Sequence, residues 1–277
     1  MVKFKPVIKW SGSKRSQSEK ILAQIPNKEY NTYYEPFVGG ASMLYQIARS
    51  ELVINKYVCS DINSDLINLW NEIKNSPCDV VRAYTEHFNK LTSYSTIQDK
   101  RAYFEHVRAK FNQDKSSLDF MFIMRTTTNG MPRYNKSGEF NNSYHLNRNG
   151  INPKELNKIV EDWNSLLNSK NIIFEQKSYN EIITQESDLM YLDPPYPNSS
   201  AMYSGDIDLN LFFSWLKNQE SFYLMSLNGK TQTIDKTYSV PKELFSKHLY
   251  LDSGNSSFRR LYGKSNKEYV KESLYIK

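Results

Sequence analysis

Asp193-Pro194-Pro195-Tyr196 directly follows the apolar run Leu189, Met190, Tyr191, Leu192. At about 5% usage per residue type, a given tetrapeptide arises in a chain of this length roughly twice in a thousand cases, so chance explains it poorly. The run reads as a short buried strand, and behind it come an acid, a proline-stiffened backbone and an aromatic ring. That set suits a planar base carrying an exocyclic amine. The Asp193 carboxylate and the Pro194 carbonyl can each accept one amine hydrogen, the Pro194-Pro195 pair fixes the backbone, and the Tyr196 ring can stack on the base. Taken alone, the tetrapeptide also fits a stiff turn leaving a sheet, with a tyrosine that only packs.

Two further constellations point to a nucleoside-bearing ligand. Glu35-Pro36-Phe37-Val38-Gly39-Gly40-Ala41-Ser42 ends one strand and opens a helix, placing paired glycines where backbone can approach a ligand at a switch point of a sheet. The spaced third glycine of the dinucleotide fingerprint is missing, so phosphate binding is not implied. Ser60-Asp61-Ile62-Asn63 ends the next strand, about twenty residues further on, where an acid can hydrogen-bond ribose hydroxyls. The same Asp61 could instead cap the helix that Asn63 and Asp65 open. An adenosine-bearing cofactor without phosphates fits Gly39, Gly40 and Asp61, with Asp193 beside its reactive end.

The elements that must position these residues alternate through most of the chain. Strands are predicted at 32–35, 57–60, 172–175, 189–192, 222–225, 248–251 and 273–276, and helices between them at 41–49, 153–168 and 209–217. This is the pattern of a doubly wound, mainly parallel α/β sheet covered on both faces. No helix separates the last two strands, so an antiparallel pairing is expected at that edge. The alternation fails from Asp65 to Gly150, where helices are predicted at 65–75, 79–91, 99–111 and 117–124, followed by a Gly/Asn-rich, hairpin-like segment from Thr126 to Asn142. The expected domains are therefore 1–64 with 151–277 as a catalytic core, and 65–150 as an inserted, mainly helical module.

Composition narrows the function classes. The chain has 277 residues, a formal charge of +6 and 14% aromatics, with a pI near 9.0, a balance that favours a polyanionic partner. Cys59 and Cys78 form no metal or redox spacing, and the four histidines are scattered, so no metal site is expected. No apolar run reaches signal or membrane length, which leads us to expect a cytoplasmic protein without membrane attachment. Arg259 and Arg260, beside Ser256-Ser257 in the basic loop before the last strand, are expected to hold phosphates of such a polyanionic partner.

Lys9-Trp10-Ser11-Gly12-Ser13-Lys14, Glu35-Pro36-Phe37-Val38-Gly39-Gly40, Asp61-Ile62-Asn63 and Asp193-Pro194-Pro195-Tyr196 occur in that order. Together they resemble the Dam-like family of DNA adenine-N6 methyltransferases. The likeness extends through Asn129-Gly130-Met131-Pro132-Arg133-Tyr134-Asn135 and Gly138-Glu139-Phe140-Asn141, which are similar to the family's target-recognition hairpin. The resemblance implies a seven-stranded methyltransferase sheet with an inserted target-recognition domain. It implies S-adenosylmethionine as methyl donor and S-adenosylhomocysteine as product. Trp10, Lys14, Asp61 and Asp193 match cofactor-contacting positions, with Glu35, Phe37, Gly39 and Ile62 beside them. Lys9, Asn129, Arg133 and Asn135 match the DNA-binding side. Residue chemistry agrees: Trp10 can pack on the cofactor, Lys14 can meet a carboxylate, arginine reads guanine acceptors bidentately, and asparagine can pair an orphaned base edge.

The expected activity is transfer of a methyl group to N6 of an adenine flipped out of duplex DNA, by a bacterial or phage-encoded monomer or weak dimer. Cytosine-N4 transfer and a catalytically silent DNA-binding relative are the alternatives. Thr128 stands where GATC-methylating members place an aromatic wedge, and Ser143-Tyr144-His145 replaces a proline-containing turn, so the expected target differs from GATC.

Overall fold

A computed structural model describes residues 5–196, 207–255 and 269–277. Among the described residues, all seven expected strands form: β1 (Tyr30–Glu35), β2 (Ile54–Asp61), β3 (Ile172–Gln176), β4 (Leu189–Leu192), β5 (Phe222–Thr231), β6 (Lys247–Asn255) and β7 (Tyr269–Ile276). They make one sheet in the order β3-β2-β1-β4-β5-β7-β6. Strands β1 to β5 pair in parallel, while β7 runs antiparallel to both β5 and β6, as expected from the sequence. The observed β2, β5 and β6 are longer than their apolar cores suggest, because polar residues continue the ladders beyond the buried layer.

Helices cover both faces. They are α1 (Ser18–Leu22), α2 (Ser42–Ala48), α3 (Ser64–Asn75), α4 (Pro77–Ser93), α5 (Ile97–Asp114), α6 (Ser117–Thr126), α7 (Pro153–Ser169) and α8 (Leu209–Leu216). Strand β4 shows why such a sheet reads as a continuous apolar run: Leu189 and Tyr191 join one hydrophobic cluster, Met190 and Leu192 the other. No helix joins β3 to β4, and a single 3-10 turn at Tyr179–Glu181 takes its place. The long helices begin where sequence chemistry says they should. Asn63 caps α3 by accepting from Leu66 N at 3.0 Å, and Asn152 caps α7 by accepting from Lys154 N at 2.9 Å, with Pro153 at its first position.

Helix α3 packs on β2, β3 and α7, so the apolar core runs without a break from the sheet into the 65–150 segment. Its buried Leu66, Leu69, Trp70 and Ile73 follow helical spacing. Trp70 is the hinge pin of this junction: its ring stacks on Phe174 at 5.5 Å, lies 4.8 Å from Trp163, and its indole N–H donates to the Gly39 carbonyl at 3.0 Å. The segment from Thr126 to Asn142 is less regular than a β-hairpin. Two isolated antiparallel bridges, Thr127 with Tyr144 and Tyr134 with Phe140, close it, and asparagine side chains supply the rest.

Replacing Trp70 tests that junction. Trp70→Ala is expected to cost about 3–5 kcal/mol of stability through the cavity it leaves. Trp70→Phe should cost ~1–2 kcal/mol, chiefly through the unpaired Gly39 carbonyl. Urea denaturation measures both, and an alanine variant within ~1 kcal/mol of wild type would show that the two parts do not share a core.

Candidate active site

The site lies where the chain changes direction in the sheet. From central β1 it moves to β2 and β3 on one side, then returns to β4 and β5 on the other, so a crevice opens beyond the carboxyl ends of β1 and β4. Three of the sequence motifs meet there, at the ends of β1, β2 and β4.

The turn after β1 is built for close approach. Val38 N donates to Ser60 O at 3.0 Å, which ties the turn to β2. Gly39 has φ +45°, a left-handed conformation that glycine adopts without strain, and its N–H donates to Asp61 Oδ2 at 3.3 Å. A Cβ on Gly39 would fall 2.7 Å from Trp10 Nε1, and one on Gly40 would fall 3.0 Å from Trp10 Cβ, so the indole lies directly on the glycine pair. Asp61 Oδ1 accepts from Asn63 N at 3.0 Å. The helix cap itself is Asn63, which leaves Asp61 as an acceptor at the strand end. Burial pushes the Asp61 carboxyl up to about 6, with the Asn63 and Gly39 amides opposing the shift.

The neighbouring residues divide between wall and foundation. Ile62 is 56% exposed, an apolar face beside Asp61. Phe37 packs against Tyr179 and Phe212 at 5.6 and 6.1 Å. Glu35 is buried beneath the turn and accepts from the Tyr33 hydroxyl at 2.7 Å, and burial pushes its carboxyl up to about 8. A cavity of about 510 Å³ opens beside the glycines, lined by Lys9, Trp10, Ser13, Arg15, Gly40 and Asn129 among others.

At the end of β4, Asp193 and Tyr196 form a charged cluster with Lys14. Lys14 Nζ lies 2.8 Å from Asp193 Oδ2 and 3.3 Å from Glu272 Oε2. The Tyr196 hydroxyl lies 3.3 Å from Asp193 Oδ1 and 3.2 Å from Glu272 Oε2, between which its single proton is shared, and Lys14 Nζ sits 5.2 Å from the Tyr196 ring centroid. Burial alone would lower the Lys14 ammonium, but the Asp193 and Glu272 carboxylates reverse this and hold it above the ordinary lysine value. Burial pushes Asp193 up to about 6, with Lys14 holding it down and Glu272 adding to the rise. Burial first, then the Asp193 and Glu272 charges, raise Tyr196 well above the usual phenol, so its hydroxyl remains a donor. Pro194 is buried and Pro195 half-buried, fixing the backbone between acid and ring.

The segment before α7 faces the same region. Asn129 is exposed in a left-handed conformation (φ 59°), and Gly130 packs so tightly on Lys9 that an added Cβ would clash with the lysine side chain. Lys9 is half-buried, and burial together with Arg148 and Arg125 lowers its pKa. Arg133 is exposed at the turn. Asn135 uses its side chain locally, accepting from Ser137 N and Glu139 N at 3.0 and 2.9 Å and donating to Glu139 at 2.8 Å. Thr128 bonds Ser143 O at 3.2 Å, and Asn142 donates to the Thr128 and Met131 carbonyls at 3.0 and 2.9 Å. Arg259 and Arg260 lie outside the described residues.

Two residues to which the sequence reading gave no role belong here. Glu272 arrives because β7 is antiparallel, so its opening residues sit at the rim where the parallel strands end. A lone acid in the alternating Val270-Lys271-Glu272-Ser273-Leu274 stretch was the available signal. Tyr134 donates to Asp65 Oδ2 at 2.7 Å and accepts from Asn63 Nδ2 at 3.3 Å, linking the turn that bears Arg133 to the start of α3, just past Asp61.

The chain matches the family described as D12 class N6 adenine-specific DNA methyltransferase over residues 10–262. It is 32% identical over 283 aligned positions to a DNA adenine methylase of Vibrio cholerae, spanning 100% of this chain and 91% of that protein. It is 30% identical over 199 residues to Type II methyltransferase M1.LlaDCHI of Lactococcus lactis subsp. cremoris, covering 70% of this chain and 66% of that one. A similar match, 30% over 211 residues and 70% of both chains, links it to Type II methyltransferase M.MjaIII of Methanocaldococcus jannaschii. The turn that can hold a base amine thus stands at the switch point of a chain whose likeness to adenine methylases runs almost from end to end, and the protein belongs to the D12 class of N6 adenine-specific DNA methyltransferases.

Proposed function

We propose that the rim between β1 and β4 binds S-adenosylmethionine over the glycine turn and holds a flipped adenine with its N6 amine on Asp193 and the Pro194 carbonyl. The observation that carries this reading is Asp193-Pro194-Pro195-Tyr196 at the end of β4, one strand from the Gly39 turn and two from Asp61. The family decides between adenine and the cytosine-N4 alternative.

The residues present fit the cofactor. Trp10, seated on the glycine pair, lines the cavity and offers a ring for the cofactor to pack on, Asp61 offers an acceptor for ribose hydroxyls, and exposed Ile62 offers an apolar face for the adenine ring. Phe37 and Glu35 support this pocket from below, the former through its aromatic neighbours and the latter by fixing β1 to the turn. When bound, the cofactor supplies an electrophilic methyl group on its sulfonium sulfur.

What remains is for the protein to make a poor nucleophile attack. The amino lone pair of adenine is delocalised into the ring. Hydrogen bonds from the amine to Asp193 and the Pro194 carbonyl favour a pyramidal nitrogen whose lone pair points at the methyl, an interaction stronger in the transition state than in the ground state. Tyr196 stacks on the base and offsets part of the unstacking cost of a few kcal/mol. Lys14, expected to meet the cofactor's carboxylate, serves in this arrangement as the counter-charge that keeps Asp193 ionised near neutral pH.

On the DNA side, residues 65–150 act as the target-recognition module. Lys9 and Asn129 stand at the mouth of the cavity where a displaced base would leave its partner unpaired. Arg133 reads a guanine, and Asn135 shapes the turn that presents it. Arg259 and Arg260 bind phosphates, so neutralising them should weaken all DNA alike.

Asp193→Ala should leave folding and DNA binding intact while reducing methyl transfer by 10²- to 10³-fold, about 3–4 kcal/mol of transition-state stabilisation. Transfer of a tritiated methyl group to DNA measures this, and a rate within about twofold of wild type would remove Asp193 from catalysis. Asp61→Ala should weaken S-adenosylmethionine binding by ~1.5–3 kcal/mol in calorimetry. Because burial pushes both acids up to about 6, and protonation removes the charge and puts a donor where each must accept, activity is present above that value and lost as pH falls through it. A profile flat down to pH about 4.5 would contradict the shared dependence. Arg133→Ala should cost ~1–3 kcal/mol at the preferred sequence and less at near-cognate ones. Sequencing of methylated adenines decides this, since equal loss at every site would make Arg133 a phosphate contact.

A further inference from the structure

Both oxygens of Asp193 are already taken: Lys14 holds Oδ2 at 2.8 Å and the Tyr196 hydroxyl holds Oδ1 at 3.3 Å. Each oxygen keeps a second lone pair, but a base amine that donates to this carboxylate must still compete with the donors already on it. Displacing Lys14 is the harder of the two, because its side chain is 3% exposed and a buried ammonium without a counter-charge is strongly unfavourable. Yet both donors have the same second acceptor. Glu272 Oε2 lies 3.3 Å from Lys14 Nζ and 3.2 Å from the Tyr196 hydroxyl. Small movements would therefore transfer either bond from Asp193 to Glu272 without leaving a charge or a hydroxyl unpaired.

We propose that Glu272 is a positioning residue for methyl transfer, the exchange acceptor that takes over Lys14 and the Tyr196 hydroxyl when Asp193 turns to the adenine amine. The inference rests on the methyltransferase reading given above and adds to it a side chain from β7 that touches neither base nor cofactor. An anion is needed at this position. A neutral amide could accept one hydrogen bond but could not balance the ammonium, so Lys14 would stay on Asp193 and compete with the substrate.

The pH dependence carries a signature of this role. Among the described residues, the titratable groups facing Asp193 are Lys14 from the N-terminal loop, Glu35 from the end of β1, Tyr191 within β4, Tyr196 beyond it and Glu272 on β7. Glu272 raises the Asp193 carboxyl and Lys14 lowers it. Removing the Glu272 charge eliminates the first influence and leaves Asp193 as the carboxylate partner of Lys14, beside its bond to Gly12 O at 3.0 Å. Both changes act in one direction, toward protonation of Asp193 at lower pH.

The test compares wild type, Glu272→Gln and Glu272→Asp in single-turnover methyl transfer to duplex DNA across the acid range, with a carboxyl-carbon NMR titration of Asp193 assigned by the Asp193→Asn variant. The glutamine variant should melt like wild type, lose roughly tenfold in rate at neutral pH, and show both its acid limb and the Asp193 titration moved down by about one pH unit. The aspartate variant should recover most of both. A glutamine variant with unchanged rate and acid limb overturns the proposal. So does a rate loss with the acid limb and the Asp193 titration unmoved, which would make Glu272 a structural residue only. If wild type transferred no methyl group to any DNA, the methyltransferase reading of the site would fail, while the NMR titration would still decide whether Glu272 competes for Lys14.

Discussion

A buried ammonium must be matched by negative charge, and this one requirement draws three distant stretches of chain to a single point. Lys14 comes from the N-terminal loop, Asp193 from the end of β4 and Glu272 from the start of β7. Once Lys14 is fixed, its neighbours are fixed too. Its backbone N–H bonds Ser42 Oγ at 3.1 Å at the start of α2, and its carbonyl accepts from Gln17 and Ser18 at 2.8 Å. Trp10 is thereby laid on the glycine turn, and Lys9 is pressed against Gly130. One cation between two acids, in a region of low dielectric, organises both the chemical end of the site and the approach to it.

A second network runs in the opposite sense, from the strand ends outward. Asp61 receives the Gly39 and Asn63 amides, Asn63 caps α3 and contacts the Tyr134 hydroxyl, and Tyr134 bonds Asp65. The turn that carries Arg133 is thus joined through two residues to the acid proposed for the cofactor ribose. Because α3 also shares its apolar face with β2, β3 and α7, the 65–150 segment is anchored as part of the same core and cannot swing freely on the sheet.

Strand positions and the motif turns were legible because each depends on local chemistry: apolar alternation or continuity for the strands, glycine and proline for the turns, asparagine at the helix starts. What depends on pairing between distant segments was not. Glu272 offered only a lone acid in an alternating stretch, since it is the antiparallel insertion of β7 that carries it to the rim. A sequence likewise does not show that two protein acids lie within reach of the Lys14 ammonium. The Thr126 to Asn142 segment read as a hairpin from its Gly and Asn content. Its asparagines instead satisfy the backbone by side-chain bonds, with Asn135 closing one turn and Asn142 another, which leaves little for a regular ladder.

The place of β7 bears on how the molecule is assembled. It follows β5 and β6 in the chain but lies between them, so β6 joins the sheet only through β7. During synthesis the first five strands can form their parallel sheet from the emerging chain, while β6 waits without a neighbour. The segment that completes the sheet also delivers Glu272. Until β7 joins, Lys14 lacks the second of its two carboxylates, so the charge balance at the rim is completed by the same strand that completes the sheet.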